Sequence, residues 1–187
     1  MASDVTTQLG DGALGDGLFE PICTLYDQVF SQSPFLWSNE ESGRHRALLG
    51  RLKNESSFGI ATVQIAEQLV GFAYGYQLHP NTAWWQNYLE PLPDELTHEW
   101  PGRTFALTNL AVETTWRGQG LGRKLIERLL ASRTQQRATL LVQPAATDTQ
   151  AFYQHLGWRK VGRRQMPLGA VSPQYDVYVL ELRTSRT

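Results

Sequence analysis

One cysteine, Cys23, in 187 residues rules out an internal disulfide, so nothing in the sequence calls for an oxidising compartment. Its neighbours Ile22, Leu25 and Tyr26 suit a small buried residue better than a nucleophile. An excess of one charge is also lacking. The 17 Lys and Arg against 18 Asp and Glu leave a formal net charge of -1, so there is no global pull toward nucleic acid, an anionic membrane or another polyanion. The longest apolar-looking run, Leu69 to Tyr76, falls far short of the ~20 residues of a membrane span. The opening residues show no basic stretch followed by an apolar run, and a cytoplasmic protein is expected. His45, His79, His98 and His155 lie far apart with no paired ligand spacing, so surface histidines and no metal are expected. Internal repeats, low-complexity tracts and composition shifts are missing too, and the length suits one domain. The expected organisation is a flexible N-terminal segment, 1–16, and a single domain, 17–187.

What the chain does have is a clear alternation of patterns. Within 1–16 a short strand near Val5 to Leu9 and a mobile end are both open readings. Gly17 to Phe30 reads as a helix with Leu18, Ile22, Leu25, Tyr26 and Val29 on one side, and Glu40 to Lys53 as a second, more polar one. Between them Phe35, Leu36 and Trp37 are unusually apolar for a loop and should pack on something. Phe58 to Ala66 and Leu69 to Leu78 read as two tightly joined strands, with Phe72, Tyr74 and Tyr76 sharing a face. His79 to Gly102 is a long connection carrying Trp84, Trp85, Tyr88 and Trp100 among Glu90, Asp94, Glu95 and Glu99. Connections of that length are often lids or binding loops. Aromatic walls and acids would suit a cationic amine, so Tyr76, Trp84 and Trp85 are candidate substrate-binding residues; the other reading is a loop whose aromatics pack on the sheet. Downstream, Ala138 to Gln143 reads as a buried strand, and Thr147 or Asp148 can cap a helix that Gly157 stops. Trp158 to Arg164 and Tyr175 to Leu182 read as a final strand pair. Strands mixed with two crossover helices imply a mixed α/β sheet rather than a doubly wound nucleotide fold.

The stretch from Thr104 to Ala131 carries the chemistry. A strand, Thr104 to Val112, passes through Arg117, Gly118, Gln119, Gly120, Leu121, Gly122 and Arg123 into a helix whose Leu121, Leu125, Ile126, Leu129 and Leu130 form one apolar stripe. The first turn of a helix has amide N–H groups without intrahelical partners and about half a positive charge. Glycines let an anion approach the backbone, and Arg117 and Arg123 add formal charge. The dinucleotide fingerprint G-x-G-x-x-G fails because Arg123 stands where its last glycine belongs, and no G-x-x-x-x-G-K-[ST] loop occurs.

What remains, Arg117-x-x-Gly120-x-Gly122 after LTNLAVETTW, resembles the acetyl-CoA-binding motif of the GNAT superfamily of N-acetyltransferases. A second stretch, Ala151-Phe152-Tyr153-Gln154-His155-Leu156-Gly157-Trp158, is similar to the other signature of that family. The resemblance implies a single-domain α/β fold with a mixed, mostly antiparallel central sheet, split between two strands and flanked by about four helices. It implies acetyl-CoA as acyl donor and no metal. The turn from Arg117 to Arg123 would hold the diphosphate, and backbone groups of Leu110, Ala111 and Val112 the pantetheine arm and thioester carbonyl, where an N–H works as an oxyanion donor. Tyr153 would protonate the departing thiolate, which a phenol of pKa ≈ 10 can do. The amine would attack directly, without an acyl-enzyme.

The sequence departs from the family twice. Asn109 stands where many members carry a Glu base, and Ala146 where an asparagine is frequent. Asparagine cannot take a proton, though it can orient a water. Neutralising an alkyl amine of pKa ~10.4 at pH 7 costs about 4.6 kcal/mol, against about 1.4 kcal/mol for an α-amine of pKa near 8. Either another group acts as base (Glu113, Glu99 and His98 are candidates), or water does, or the substrate is a weakly basic amine. The expected function is acetyl transfer to a small-molecule primary amine. Acylation of a peptide or protein N-terminus and a non-catalytic acyl-CoA-binding module are the alternatives. No nucleic acid or membrane partner is expected, and a homodimer is left open.

Overall fold

The structure, a computed structural model, describes residues 5–182. Its elements in chain order are β1 (Val5–Gly10), α1 (Gly12–Gly17), α2 (Phe19–Phe30), α3 (Asn39–Leu52), β2 (Gly59–Ile65), β3 (Gln68–Gln77), α4 (Asp94–Thr97) and β4 (Thr104–Val112). After a 3-10 turn at Thr114–Trp116 come α5 (Leu121–Ala131), β5 (Arg137–Val142), α6 (Thr147–His155), β6 (Arg159–Gln165) and β7 (Gln174–Glu181). The seven strands make one mixed sheet in the order β1-β2-β3-β4-β5-β7-β6. All registered pairs are antiparallel except β4 with β5, whose parallel register covers Thr104–Ala106 against Arg137–Thr139. This is the α/β fold the sequence implied, with its split between β4 and β5.

Among the described residues six helices stand where about four were expected. The two additions are short. Asp11 caps α1 by accepting a hydrogen bond from the Ala13 amide at 3.0 Å, and a break at Leu18 separates α1 from α2. Val5–Gly10 takes the strand alternative, paired along its length with β2. At α6 the expected cap is different: Ala146 occupies the cap position and no side chain bonds there. Gln150 reaches back instead, donating to the Gln143 and Pro144 carbonyls at 3.2 and 3.0 Å, while its Oε1 accepts from the Tyr178 hydroxyl at 2.8 Å. No helix among the described residues is long and apolar enough to cross a membrane.

The chain forms two compact units. The first takes the chain to Tyr76 and again over Leu107–Arg133. Its core joins Ile22, Cys23, Leu25, Tyr26 and Val29 of α2 with Leu49 and Leu52 of α3 and Phe72 and Tyr74 of β3. Each such side chain, fully buried, contributes roughly 1.5–3 kcal/mol. Phe35 and Trp37 of the α2–α3 loop join this cluster, but Leu36 is 70% exposed. His45 corrects the expectation of surface histidines: it is 3% exposed, its ring stacked on Tyr26 at 3.5 Å. The five apolar residues of the α5 stripe are all buried.

The second unit takes Gln77–Ala106 and the chain from Thr134. Within it the long connection packs on the sheet. The Leu89 amide bonds to the Arg163 carbonyl at 2.9 Å and the Gln165 amide to the Asn87 carbonyl at 2.7 Å, so the connection runs as an extra edge along β6. Arg164 adds side-chain bonds to the Gln86 and Ala83 carbonyls at 3.1 and 2.9 Å. Gly162 makes this approach possible: a Cβ there would lie 3.0 Å from both Tyr88 Cδ1 and Leu92 Cδ2.

Candidate active site

In the first unit, β4 delivers the chain to an exposed turn. Leu110 and Val112 are half-buried and Ala111 is buried. The Glu113 amide still bonds to the Val70 carbonyl at 2.8 Å, so β4 is held to β3 up to its end. Past the 3-10 turn the backbone is exposed from Arg117 to Gly120. Gly118 and Gly120 have φ of +75° and +76°, a region that side chains with a Cβ populate at a cost of about 1–2 kcal/mol. A Cβ on either would meet nothing within 4 Å. Conformation and open space, not crowding, therefore account for these glycines.

Gly120 is the residue before α5, and among the described residues no side chain caps it. The Lys124 amide is the first to find a helical partner, the Gly120 carbonyl at 3.0 Å. The amides of Leu121, Gly122 and Arg123 precede it in the first turn, with the positive end of the helix dipole behind them. Arg117 donates from Nε to the Val112 carbonyl at 3.2 Å, which anchors the side chain beside the turn. Arg123 instead pairs along the helix with Glu127 at 2.6 Å, both side chains more than half exposed. The turn thus offers an anion bare amides and one anchored guanidinium. Beside it, a polar cleft of about 250 Å³ is lined by Gln28, Val29, Gln32, Gln68, Glu113, Thr114 and Thr115, which is where Glu113 lies.

Asn109 is half-buried in β4, and its Nδ2 donates to the Tyr74 hydroxyl at 2.7 Å. Tyr74 is fully buried, and burial raises its pKa well above the ordinary phenol value although the Asn109 bond opposes the shift. Sequence reasoning missed Tyr74 as a partner of Asn109, having placed it only on the common face with Phe72 and Tyr76. Tyr76 lies half-buried against the core of this unit.

Tyr153 belongs to the second unit, on α6. Its ring is 6% exposed and meets Trp158 edge-on at 5.7 Å. Gly157, with φ +89°, ends the helix, and the Trp158 amide returns to the Tyr153 carbonyl at 3.0 Å. Among the described residues the Tyr153 hydroxyl has no hydrogen-bond partner, and it is not one of the sealed polar atoms. Burial raises its pKa, which keeps the phenol protonated as a proton donor.

The candidates of the long connection fare differently. Trp84 donates its indole N–H to the Thr139 hydroxyl at 3.1 Å. Trp85 donates to Glu99 Oε1 at 2.8 Å, and the Arg137 guanidinium lies 4.9 Å over its ring. The same carboxylate oxygen accepts from Thr104 Oγ1 at 2.7 Å and from Arg137 at 2.8 Å, in an ion pair whose side chains are 1% and 4% exposed. Glu99 is a buried structural anchor, which removes it as a base for an incoming amine. His98 is exposed, and its carbonyl accepts from Arg103.

The sequence matches the acetyltransferase (GNAT) domain over residues 54–160, more than half of its length. The chain belongs to the GNAT acetyltransferase family. It is accordingly an acyltransferase, as its two motifs implied. No curated protein matches it in sequence. Solved GNAT structures resemble it closely in fold. The ribosomal-protein-S18-alanine N-acetyltransferase of Escherichia coli aligns with TM-score 0.62 at 14% identity, over 97% of each chain. Aminoglycoside 6'-acetyltransferase type Ii aligns with TM-score 0.65 at 17% identity, over 95% of this chain and 97% of its own. A GNAT family acetyltransferase of Elizabethkingia anophelis with acetyl-CoA bound gives 0.58 at 16%, over 95% and 98%. At these identities the likeness is one of fold. The two stretches that resemble the family's motifs lie on β4 with the turn before α5, and on α6.

Proposed function

We propose that this GNAT protein transfers an acetyl group from acetyl-CoA to a primary amine by direct attack, with residues 17–187 acting as one acetyltransferase domain in the cytoplasm. The observation that carries the reading is the uncapped start of α5. Amides without partners, two positive-φ glycines with open space around them and the anchored Arg117 together suit a diphosphate. Arg117, Gly118, Gln119, Gly120, Leu121, Gly122 and Arg123 are the proposed diphosphate residues. Leu110, Ala111 and Val112 supply backbone groups to the pantetheine arm and the thioester carbonyl.

In this reaction the amine nitrogen forms a bond to the thioester carbonyl carbon, and the C–S bond breaks. Tyr153 gives its proton to the departing thiolate, and the nitrogen sheds one proton to water, from which the phenol is restored. Support for the acid role is a buried phenol that is protonated at rest and whose hydroxyl, among the described residues, has no hydrogen-bond partner; burial raises its pKa, which keeps the proton in place but does not itself make it easier to give.

A peptide or protein N-terminus is the second reading of the acceptor, favoured by one observation. Asn109 takes no proton, and Glu99, a candidate base, is locked by three donors, so an amine of low basicity is the easier acceptor. Related folds act on both kinds of acceptor by name, an aminoglycoside and a ribosomal-protein alanine.

The test is thiol release from acetyl-CoA in the presence of alkyl amines, aminoglycosides, amino acids and peptides with free N-termini. Turnover that depends on an amine is expected. Binding of CoA, seen as a thermal shift, with no turnover on any acceptor would make the chain a binding module instead.

A further inference from the structure

Asn109 is an amide at a position of β4 where proton transfer would call for a carboxylate, and the structure gives this amide a fixed partner. A free asparagine side chain rotates about its last torsion and exchanges its donor and acceptor ends. Here one end is tied: Nδ2 donates to the Tyr74 hydroxyl at 2.7 Å. The partner is itself immobile. Tyr74 is 0% exposed, and its ring packs against Phe72 at 5.8 Å, Phe58 at 5.7 Å and His45 at 6.1 Å. Its phenol stays neutral because burial raises its pKa. The bond therefore persists across any working pH, and it leaves Oδ1 as the acceptor of a half-buried residue.

Resting on the acetyl-transfer reading above, we propose that Tyr74 is a positioning residue: its buried hydroxyl orients the Asn109 amide so that Oδ1 accepts an N–H of the acceptor amine. An amide oxygen cannot remove a proton, but it can receive one N–H and so turn the nitrogen lone pair toward the thioester carbonyl. Alignment of this kind lowers the barrier by fixing the attack geometry rather than by moving charge. Asn109 touches the amine; Tyr74 acts only through Asn109.

Tyr74→Phe removes the hydroxyl and keeps the ring. The expected result is a fall of about tenfold in kcat with a raised KM for the amine and an unchanged KM for acetyl-CoA, with rates normalised to CoA-binding sites. Asn109→Leu, which leaves the core ring in place, should reproduce that loss, and Tyr74→Phe added to Asn109→Leu should lower kcat by less than twofold further. Wild-type kcat and amine KM in either single variant would overturn the proposal. So would a full additional loss in the double variant, because the Tyr74 hydroxyl would then act independently of Asn109. Amine-dependent turnover in the wild type with any of these results leaves the acetyltransferase reading intact. A wild type that binds acetyl-CoA and acetylates no amine overturns both.

Discussion

The turn before α5 and the long connection from His79 to Gly102 both look functional in the sequence, one for its glycines and arginines, the other for its tryptophans and acids. The structure treats them in opposite ways. At the turn, backbone donors are left open among the described residues, the two positive-φ glycines face empty space, and Arg117 is anchored on the Val112 carbonyl. In the connection the notable groups have partners inside the fold. The Trp84 and Trp85 indoles donate to Thr139 and Glu99, Glu99 pairs with Arg137, and backbone bonds run along β6. Residue type alone does not mark a site. Exposed hydrogen-bonding capacity that the protein leaves unmet does.

Glu99→Ala gives the largest expected effect. Among the described residues it leaves the buried Arg137 guanidinium with no carboxylate, hydrogen-bonded to Thr104 Oγ1 and the Leu96 carbonyl and lying over the Trp85 ring. Breaking a buried pair by removing one member costs about 3–5 kcal/mol, to be read from the denaturant midpoint. A stability within about 1 kcal/mol of wild type together with a raised amine KM would turn the connection back into a binding surface. Gly120→Val should do the reverse. Backbone strain costs about 1–2 kcal/mol of stability, while the new side chain stands where an anion would approach. Acetyl-CoA affinity should drop about 100-fold by calorimetry, the equivalent of one or two lost charge-assisted hydrogen bonds. Unchanged affinity would move the diphosphate away from this turn.

These two regions also divide what a sequence can and cannot show. Strand β4 and helix α5 were legible to the residue, because a 3.6-residue apolar stripe and alternating glycines are local patterns. The stretches that resemble the family motifs, Arg117–Gly122 and Ala151–Trp158, are local for the same reason. Helix α1 was not legible: GALGDG has no periodic apolar stripe, and it depends on the Asp11 cap and on packing. The Glu99–Arg137 and Tyr74–Asn109 contacts join residues 38 and 35 positions apart. Strand register and loop path decide such pairs, and no spacing rule in one sequence encodes them.

His45 sharpens the comparison, because its polar atoms are unmet but sealed. Both ring nitrogens are buried and, among the described residues, without a partner. Burial, helped by the nearby Arg46 charge, lowers its pKa to about 3. The folded state therefore resists protonation that the unfolded chain accepts near 6.5. The associated stability is complete above that value and is lost as pH falls from 6.5 toward 3. Between pH 7 and pH 5 this amounts to about 2 kcal/mol. His45→Phe keeps a ring on Tyr26 and should flatten that part of the stability–pH curve. An unaltered curve would mean that the imidazole finds a proton-accepting partner in solution.

Trp84→Phe gives the smallest effect and the finest test. It deletes the N–H that reaches Thr139 and keeps an aromatic ring in a half-buried place. Thr139 loses little, since its hydroxyl also donates to the Tyr178 carbonyl at 2.9 Å. If the tryptophan serves packing, stability falls by about 1 kcal/mol and the amine KM stays as it was. If its ring face takes the cationic acceptor, phenylalanine should bind that cation less well than tryptophan does. The amine KM should then rise severalfold while the KM for acetyl-CoA stays constant. The geometry predicts the first outcome, because an indole fixed by a bond of 3.1 Å is oriented by the fold before any ligand arrives.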